Sequence, residues 1–313
     1  MKKTSLPALL CALMMLTACA VQTPQGTSSP SPSAEAAEPT PAPTADTAPS
    51  LSFDDYPIVD GSTANLPLMA AVLSRVTGMD PSEAETLTTC STTPTAYENL
   101  VNKTVDLLLV YEPAEETKEI IDKSGVALDF IPIGRDALVF ITNESNPVDG
   151  LTTQQLIDIY SGKITNWKDV GGLDSEIAAY QRSSGSGSQA LFIKLLMKDK
   201  TPMQAPTEFY PSEMGELIEA LAEYNDTGNA LGYSVYYYAK NMYSKPGLKF
   251  LSVDGVAPSN ETIAGGEYPF INEFYAVVRS DEPEDSPARA IANWLTTEQG
   301  KELIENAGYV PVP

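Results

Sequence analysis

Residues 182–188 combine the side chains and the backbone that an oxyanion site needs. Arg182 begins a run that continues as Ser183-Ser184-Gly185-Ser186-Gly187-Ser188. An arginine presents a planar fork of donors that can hold two oxygens at once. Serine hydroxyls donate from rotatable stems, and glycines let the backbone approach a ligand closely. The same composition is also typical of a flexible loop before an ordinary helix, so the surrounding elements must decide between these interpretations.

The segments on either side predict a strand before this run and a helix after it. Residues 177–180 are strand-like, and apolar residues at 192, 195 and 196 fall on one face of a helix. The first backbone N–H groups of a helix have no intrahelical acceptor, and the helix dipole is positive there. A strand, a donor-rich turn and a helix start therefore together form a cradle for an oxyanion.

The same arrangement occurs earlier in the chain, around Gly61-Ser62-Thr63. A short strand at 58–59 precedes the turn at 60–65, and apolar residues recur at helical spacing from 66 to 76. Pro67 suits the first turn of this helix and Gly78 suits its end. Two such turns are what a two-sided anion clamp needs. The alternative is a capped helix without a ligand.

A third hydroxyl-rich helix start follows at Ser91-Thr92-Thr93, just before Pro94. The position of the proline predicts Thr93 as the N-cap and Pro94 as the first helical residue.

Strands that alternate with helices predict an α/β fold with a largely parallel sheet. In such sheets ligands bind beyond the carboxyl ends of the strands, and we expect the turns at 60–65, 91–95, 111–113 and 182–188 to meet there. The further predicted strands are 105–110, 128–132, 137–141, 230–238, 248–253 and 274–278. The further predicted helices are 114–123, 151–162, 214–224, 288–295 and 298–306.

The N-terminal part of the chain predicts export. Residues 1–18 combine a basic start, an apolar run too short to span a bilayer, and small residues before Cys19, which is typical of a signal peptide. Leu16-Thr17-Ala18-Cys19 resembles the lipobox of bacterial lipoproteins, and this implies cleavage before Cys19 and attachment of a lipid to its sulfur. Residues 19–50 are rich in Pro, Ser, Thr and Ala, which predicts a disordered linker between the lipid and the folded body.

The composition excludes several classes of function. The net charge is −23 and the chain contains no histidine. An acidic chain lacks the basic footprint of a nucleic-acid-binding protein. The lack of imidazole argues against histidine metal sites and against Ser-His or Cys-His catalysis, so we expect no catalytic residue, no metal and no cofactor. With Cys11 removed and Cys19 lipidated, Cys90 is the remaining cysteine, which excludes an intrachain disulfide.

Several motifs in order resemble one family. They are Gly61-Ser62-Thr63, Asn146-Pro147-Val148, Ser161-Gly162-Lys163-Ile164-Thr165-Asn166-Trp167, Arg182 with Ser186-Gly187-Ser188, Asp254-Gly255-Val256-Ala257-Pro258, and Gly266-Glu267-Tyr268-Pro269-Phe270. Together they resemble the phosphate-binding component of bacterial ABC importers, a type II periplasmic-type binding protein, over nearly all of the folded body. The resemblance implies a two-lobed α/β fold in which each lobe is a mostly parallel sheet flanked by helices, with two crossovers. Lobe one would comprise 51–140 plus 251–313, and lobe two 141–250.

The resemblance also implies a function and a site. The protein would be a monomer on the extracytoplasmic face of the cell membrane that captures an oxyanion, first of all inorganic phosphate, and delivers it to ABC permease subunits. The implied ligand-binding residues are Gly61, Ser62, Thr63, Ser91, Thr92, Thr93, Arg182, Ser186, Gly187 and Ser188.

Glu112 departs from the family pattern, and three interpretations stay open. It accepts the proton of a monohydrogen phosphate and so disfavours sulfate, the ligand is not phosphate, or Glu112 lies outside the pocket at a helix start. On the first interpretation Glu112 belongs to the ligand-binding residues, and Glu112→Gln shifts selectivity towards sulfate.

Two other classes of function are weighed against a transport binding protein. A sensor or adhesin would keep the fold and lack the transporter. A lipid-anchored phosphatase or esterase would use Ser62 or Ser186 as its nucleophile, although the sequence offers no histidine base.

Overall fold

The computed structural model describes residues 47–184, 186–204, 214–223 and 229–313. The predicted signal peptide, Cys19 and the predicted linker up to residue 46 lie outside this part, as do Gly185 of the serine-glycine run and Tyr224 at the end of one predicted helix.

The secondary structure alternates between strands and helices along the described chain. The strands are β1 (Val59–Gly61), β2 (Leu107–Tyr111), β3 (Leu128–Asn143), β4 (Gly150–Leu151), β5 (Ala178–Ala179), β6 (Ala230–Val235), β7 (Leu248–Phe250), β8 (Ser252–Val253), β9 (Ile271–Arg279) and β10 (Val310–Pro311). The helices are α1 (Leu66–Thr77), α2 (Pro81–Leu87), α3 (Thr93–Val101), α4 (Glu115–Ser124), α5 (Thr153–Tyr160), α6 (Gly187–Leu191), α7 (Met214–Glu223), α8 (Asn260–Ala264), α9 (Pro287–Trp294) and α10 (Glu298–Asn306). Single 3-10 turns occur at Phe53–Asp55, Thr63–Asn65 and Trp167–Val170, and π-helical turns at Phe192–Met197 and Tyr238–Met242.

Strand β3 joins the two parts of the main sheet. The strand order is β1-β2-β9-β3-β6-β5, with β7 and β10 also paired to β3, and β4 and β8 form a separate pair. Residues 128–137 of β3 pair with β9, and residues 138–142 pair with β6. The prediction of two strands at 128–132 and 137–141 is therefore wrong. The chain continues through a register shift between Pro132 and Gly134 instead of turning, as a β-bulge allows.

The directions of the strands differ between the outside and the centre of the sheet. The outer pairs β1–β2 and β5–β6 are parallel, as is the separate pair β4–β8. The central pairs β2–β9, β9–β3 and β3–β6 are antiparallel. The α/β fold class is confirmed, and the expectation of parallel strands holds for the outer pairs and not for the centre, where β3 and β9 run against their neighbours.

Helix α1 shows why the helices form where the sequence predicts them. Its buried side chains Leu68, Met69, Val72 and Val76 belong to the core cluster that includes the sheet residues. Pro67 lies in the first turn, and Gly78 ends the helix with φ of 74°. The N-terminus of α1 is thereby fixed beside the end of β1.

Two elements differ from the sequence prediction. Helix α2 (Pro81–Leu87), capped by the Asp80 side chain, was not predicted. The predicted strand 230–238 ends at Val235 instead, and the chain turns helical from residue 236. The Tyr237 N–H donates to the buried Asp136 carboxylate at 3.1 Å, so this carboxylate caps the new helix at its start.

Among the described helices, none combines the length and apolar character that crossing a bilayer requires.

Candidate anion-binding cleft

One cleft of about 470 Å³ collects most of the sequence-predicted site residues. It lies beyond the carboxyl ends of β1 and β2, and it is also bounded by the turn after β5 and by α7. Its lining comprises Ser62, Thr63, Ala64, Thr92, Thr93, Pro94, Tyr111, Arg182, Ser183, Ser186, Gly187, Ser188, Gly215, Glu216, Glu219, Val235, Tyr238 and Tyr243. Three helical N-termini, those of the Thr63–Asn65 turn leading into α1, of α3 and of α6, therefore point into the same space.

Ser62 links the first two of these helix starts. It is buried, and its Oγ shares a hydrogen bond of 2.8 Å with Thr93 Oγ1 and accepts one of 3.2 Å from the Tyr111 N–H. The Ser62 N–H donates to the carbonyl oxygen of Leu109 at 3.2 Å. The ends of β1 and β2 and the start of α3 are thus held in one hydrogen-bonded unit at the cleft.

The backbone that leads into α3 is strained at Thr92. Thr92, and not Thr93 as predicted, is the N-cap of this helix, and Thr93 is its first residue. Thr92 has φ of 80° and ψ of 159°, a region in which residues other than glycine are rarely found. Its neighbour Ser91 donates its N–H to Asp60 Oδ1 at 2.7 Å, and Asp60 Oδ2 accepts from Asn99 Nδ2 at 3.0 Å. Asp60 therefore anchors the turn that presents Thr92 and Thr93, a role that the sequence analysis did not assign to it.

Arg182 lies on the opposite side of the cleft and is 6% exposed. Its N–H donates to Gln189 Oε1 and to the Tyr233 hydroxyl oxygen, each at 3.1 Å. The Tyr233 hydroxyl also donates to Gln189 Oε1, and its ring stacks on Phe192 with the centroids 4.5 Å apart. Helix α6 and strand β6 therefore fix the main chain of Arg182, a residue of the cleft lining.

The start of α6 contributes further donors. The Ser186 Oγ caps the helix by accepting the Gln189 N–H at 3.2 Å. Ser188 is 1% exposed, and its Oγ has no hydrogen-bond partner among the described residues. A buried hydroxyl without a partner is costly, so the Ser188 Oγ is a donor that a bound ligand would satisfy. The N–H groups of Gly187 and Ser188 lie in the first turn of α6, where no intrahelical acceptor exists.

The far wall of the cleft is acidic and aromatic, and sequence analysis missed it. Glu216 and Glu219 lie on α7, Tyr238 lies on the helical segment after β6, and Tyr243 directly follows that segment. The Tyr243 hydroxyl donates to Glu219 Oε1 at 2.5 Å, and this bond, aided by Lys245, lowers the pKa of the Glu219 carboxyl. The amphipathic pattern of α7 indicated a helix but gave no sign of which residues face the cleft.

Three predicted site residues are not part of the lining. Gly61 lies at the end of β1, where a Cβ would meet the Leu109 carbonyl oxygen at 2.0 Å. Ser91 is occupied by its bond to Asp60. Glu112 lines a neighbouring cavity, where its Oε2 accepts a hydrogen bond from Lys194 Nζ. This placement favours the interpretation that Glu112 lies outside the pocket.

Within the part of the chain that the structure describes, no group of three or more His, Cys, Asp or Glu residues is placed to hold a metal ion. The lining combines the N–H groups of helix starts, hydroxyls and Arg182, which suit a ligand with negatively charged oxygen atoms, with the carboxylates of Glu216 and Glu219 on the far wall.

Comparisons with known proteins agree with this geometry. The sequence profile of the PBP superfamily domain matches residues 37–299. The phosphate-binding protein PstS of Borreliella burgdorferi is 31% identical over 201 residues, which cover 63% of this chain and 69% of that protein. PstS of Bacillus subtilis is 27% identical over 255 residues, covering 81% of this chain and 80% of that protein.

Two solved structures share the fold. A crystal structure from Clostridium perfringens that contains bound phosphate has a TM-score of 0.62 at 23% identity and covers 82% of this chain and 98% of its own. An ABC-type phosphate transport receptor from Vibrio cholerae has a TM-score of 0.58 at 24% identity, and the match covers 80% of this chain and 98% of that one. With the α/β fold, the cleft and the match of the superfamily profile over most of its length, the chain belongs to the PBP superfamily.

Proposed function

We propose that this protein is an extracytoplasmic solute-binding protein that captures inorganic phosphate in the cleft and delivers it to an ABC permease. The observation that carries the proposal is the convergence of three helix N-termini with Arg182 and the buried Ser188 hydroxyl on one cleft. The names of the relatives support phosphate as the ligand, since both PstS proteins are phosphate-binding proteins. The Vibrio cholerae neighbour, a phosphate transport receptor of the ABC type, supports the permease as the partner.

The proposed ligand-binding residues are Ser62, Thr63, Thr92, Thr93, Arg182, Ser186, Gly187 and Ser188. Ser62 and Thr93 already bond each other, and their remaining hydroxyl capacity together with the first N–H groups of α3 would face the ligand. Because the whole chain carries a net charge of −23, an anion is held here by donors aimed at it over a short distance and not by the overall field.

The proposed division into two lobes remains 51–140 plus 251–313 and 141–250. The change of partner along β3, from β9 to β6 after residue 137, supports a crossover near the first of these boundaries. The cleft residues divide accordingly, with Ser62 and Thr93 on lobe one and Arg182 on lobe two. A ligand that bonds both sets would hold the lobes closed.

We further propose a lipid anchor at Cys19 and a monomeric state. The anchor is supported by the Leu16-Thr17-Ala18-Cys19 motif and by the apolar run before it. The acidic body disfavours association of copies through charge repulsion.

The proposed function is tested by a calorimetric titration of phosphate into the Cys19→Ser protein from which the signal peptide has been removed. Saturable 1:1 binding of phosphate, well ahead of sulfate and molybdate, is the expected result. No heat and no change in unfolding temperature at millimolar phosphate would contradict it.

Other observations distinguish a phosphatase, and a sensor or adhesin, from a transport binding protein. A phosphatase would release phosphate from a chromogenic ester; Ser62 is a poor nucleophile here because its Oγ is committed to Thr93 and to the Tyr111 N–H. A sensor or adhesin would bind the anion without a permease encoded beside it.

A further inference from the structure

Asp136 is a buried carboxylate that the proposed binding step does not use. It lies on β3, directly before the point where that strand changes partner from β9 to β6. It is 2% exposed. A carboxylate at such a depth is costly unless several donors satisfy it.

Four donors from three elements meet this carboxylate. Oδ2 accepts the Tyr111 hydroxyl at 2.7 Å. Oδ1 accepts the Ala137 N–H at 2.7 Å and the Tyr237 N–H at 3.1 Å, and the Tyr236 N–H adds a further bond. The two oxygens therefore bond different elements: Oδ2 bonds the end of β2, and Oδ1 bonds β3 and the helix start after β6.

The residues that bond the Asp136 carboxylate are connected to the cleft lining. Tyr111 ends β2, lines the cleft, and donates its own N–H to Ser62 Oγ. Tyr236 and Tyr237 begin the helical segment that carries Tyr238 and ends just before Tyr243, and both of these tyrosines line the far wall. A negative charge at this helix start is favoured by the unsatisfied N–H groups and by the dipole.

We propose that Asp136 is a positioning residue for the cleft: its ionised carboxylate fixes Tyr111 of one wall relative to the helix start of the other, and anion binding requires this ionised form. The inference rests on the proposed phosphate-binding function. A protonated carboxyl must use one oxygen as a donor, so it loses acceptor capacity towards Tyr111 or the helix start, and the two walls are no longer held in one arrangement.

Asp136 is the group in this cluster that changes charge near neutral pH. Burial raises the pKa of Asp136 to about 6, although the Tyr111 hydroxyl and the N–H groups of Ala137, Tyr237 and Tyr236 act in the opposite direction. Burial also raises the pKa of the tyrosines that face it, which are Tyr111, Tyr236, Tyr237 and Tyr309, so they stay neutral in this range. Asn272 lies opposite Asp136 on β9 and carries no charge.

Ionisation of Asp136 should lower the stability of the fold and improve phosphate binding. These opposite effects distinguish a positioning role from a structural one. The pKa of Asp136 is higher in the folded state than its ordinary value of 3.8. Ionisation therefore costs stability, which is lost as the pH rises from the ordinary value through about 6. Over the upper part of the same range the ionised form should improve phosphate binding.

The test compares the wild type with Asp136→Asn, an isosteric change in which the amide oxygen still accepts the N–H groups and the amide nitrogen can donate to the Tyr111 oxygen. Phosphate is titrated into both at about pH 5 and about pH 8, on either side of the folded-state pKa. The ratio of the two Kd values is the readout, because the ionisation of phosphate itself is the same for both proteins.

At about pH 8 we expect Asp136→Asn to bind roughly tenfold or more weakly than the wild type, as the loss of a charge-assisted bond implies. At about pH 5 the ratio should approach one. In the absence of ligand, Asp136→Asn should unfold at a higher denaturant concentration than the wild type at about pH 7 and lose this advantage at about pH 4. A ratio that does not change with pH, or tighter binding by Asp136→Asn at about pH 8, would overturn the proposal.

Tyr111→Phe gives a second test that does not alter the carboxylate. It removes only the hydroxyl that donates to Asp136 and keeps the ring packed against Phe274. We expect weaker phosphate binding at about pH 8, with the pH dependence moved to higher pH because loss of the Tyr111 hydroxyl raises the pKa of Asp136. Unchanged binding would overturn the link between the two residues. If the wild type fails to bind phosphate at every pH, the proposed function is wrong. If the wild type binds phosphate but the ratio of the Kd values of Asp136→Asn and the wild type does not change with pH, only the role of Asp136 is wrong.

Discussion

Gly187 lies directly opposite Thr93, at the point where α6 and α3 approach each other across the cleft. A Cβ placed on Gly187 would lie 3.3 Å from Thr93 Oγ1, closer than ordinary van der Waals contact. The start of α6 can therefore come this near to the start of α3 because residue 187 has no side chain.

Gly187→Val should weaken phosphate binding more than Gly187→Ala, because the larger side chain holds α6 further from Thr93. Neither change should lower the thermal stability of the free protein by much, since valine and alanine both restrict the unfolded chain more than glycine does. Calorimetry and thermal unfolding on the same samples check this. Equal Kd values for the three proteins would show that the two helix starts need not approach for binding.

Arg182→Ala should weaken phosphate binding by about 2–5 kcal/mol, or between one and four orders of magnitude in Kd, as expected for a charge-assisted contact in a buried place. Arg182→Lys keeps the charge but not the planar fork, and its binding should lie between those of the wild type and Arg182→Ala. The measurement is calorimetry at one ionic strength. An alanine variant that folds and binds like the wild type would remove Arg182 from the site.

Glu112→Gln should leave the ratio of phosphate to sulfate affinity unchanged, because the structure directs Glu112 to Lys194 in the neighbouring cavity. Lys194→Gln is the matched control, since it breaks the same ion pair from the other side. The pair is partly exposed, so both variants should change binding by only about 1 kcal/mol or less. A shift towards sulfate in Glu112→Gln alone would restore its role as the acceptor of the phosphate proton.

Thr92→Gly should raise the free energy of unfolding by about 1 kcal/mol. At φ of 80° and ψ of 159° a threonine carries strain, of the order of 1–3 kcal/mol. Glycine adopts this conformation without strain, but it destabilises the folded state by about 0.5–1 kcal/mol because the unfolded chain gains conformational entropy. Denaturant unfolding of both proteins measures the difference, with Thr95→Gly inside α3 as a control that should be destabilised. A destabilised Thr92→Gly would mean that this backbone is not strained.

Cys19→Ser should release the protein into the medium or leave it unprocessed, because one sulfur would carry the lipid. Fractionation of cells that express the wild type and the variant checks this, with Cys90→Ser as the control that should stay attached. Retention of a processed Cys19→Ser protein in the membrane would contradict the lipoprotein proposal.

The sequence predicted those parts of the fold and cleft that depend on local patterns. The helix at 66–76, the donor-rich turns and Arg182 follow from spacing and residue type, and they meet in one cleft. The continuity of β3 could not be predicted, because Pro132 and Gly134 read locally as a turn and only the pairing with β9 keeps the strand extended.

The missed parts of the cleft depend on long-range contacts. Glu219 and Tyr243 face the cleft because of how α7 packs beside β6, and no spacing rule encodes that. Glu112 follows directly after a buried strand that ends at the cleft, yet it is turned towards Lys194. Asp136 appears in the sequence as an ordinary polar residue between two apolar segments, and its environment emerges only when Tyr111 and Tyr237 are brought together.

The buried position of Arg182 should affect the association rate constant of phosphate as well as its affinity. An approaching anion meets the field of a chain with a net charge of −23 before it meets Arg182, a residue that is 6% exposed. Added salt screens this repulsion over a Debye length of about 10 Å at 0.1 M, while the contacts inside the cleft are little affected. The association rate constant of phosphate should therefore rise with ionic strength, the reverse of an electrostatically steered encounter, and the dissociation rate constant should change much less.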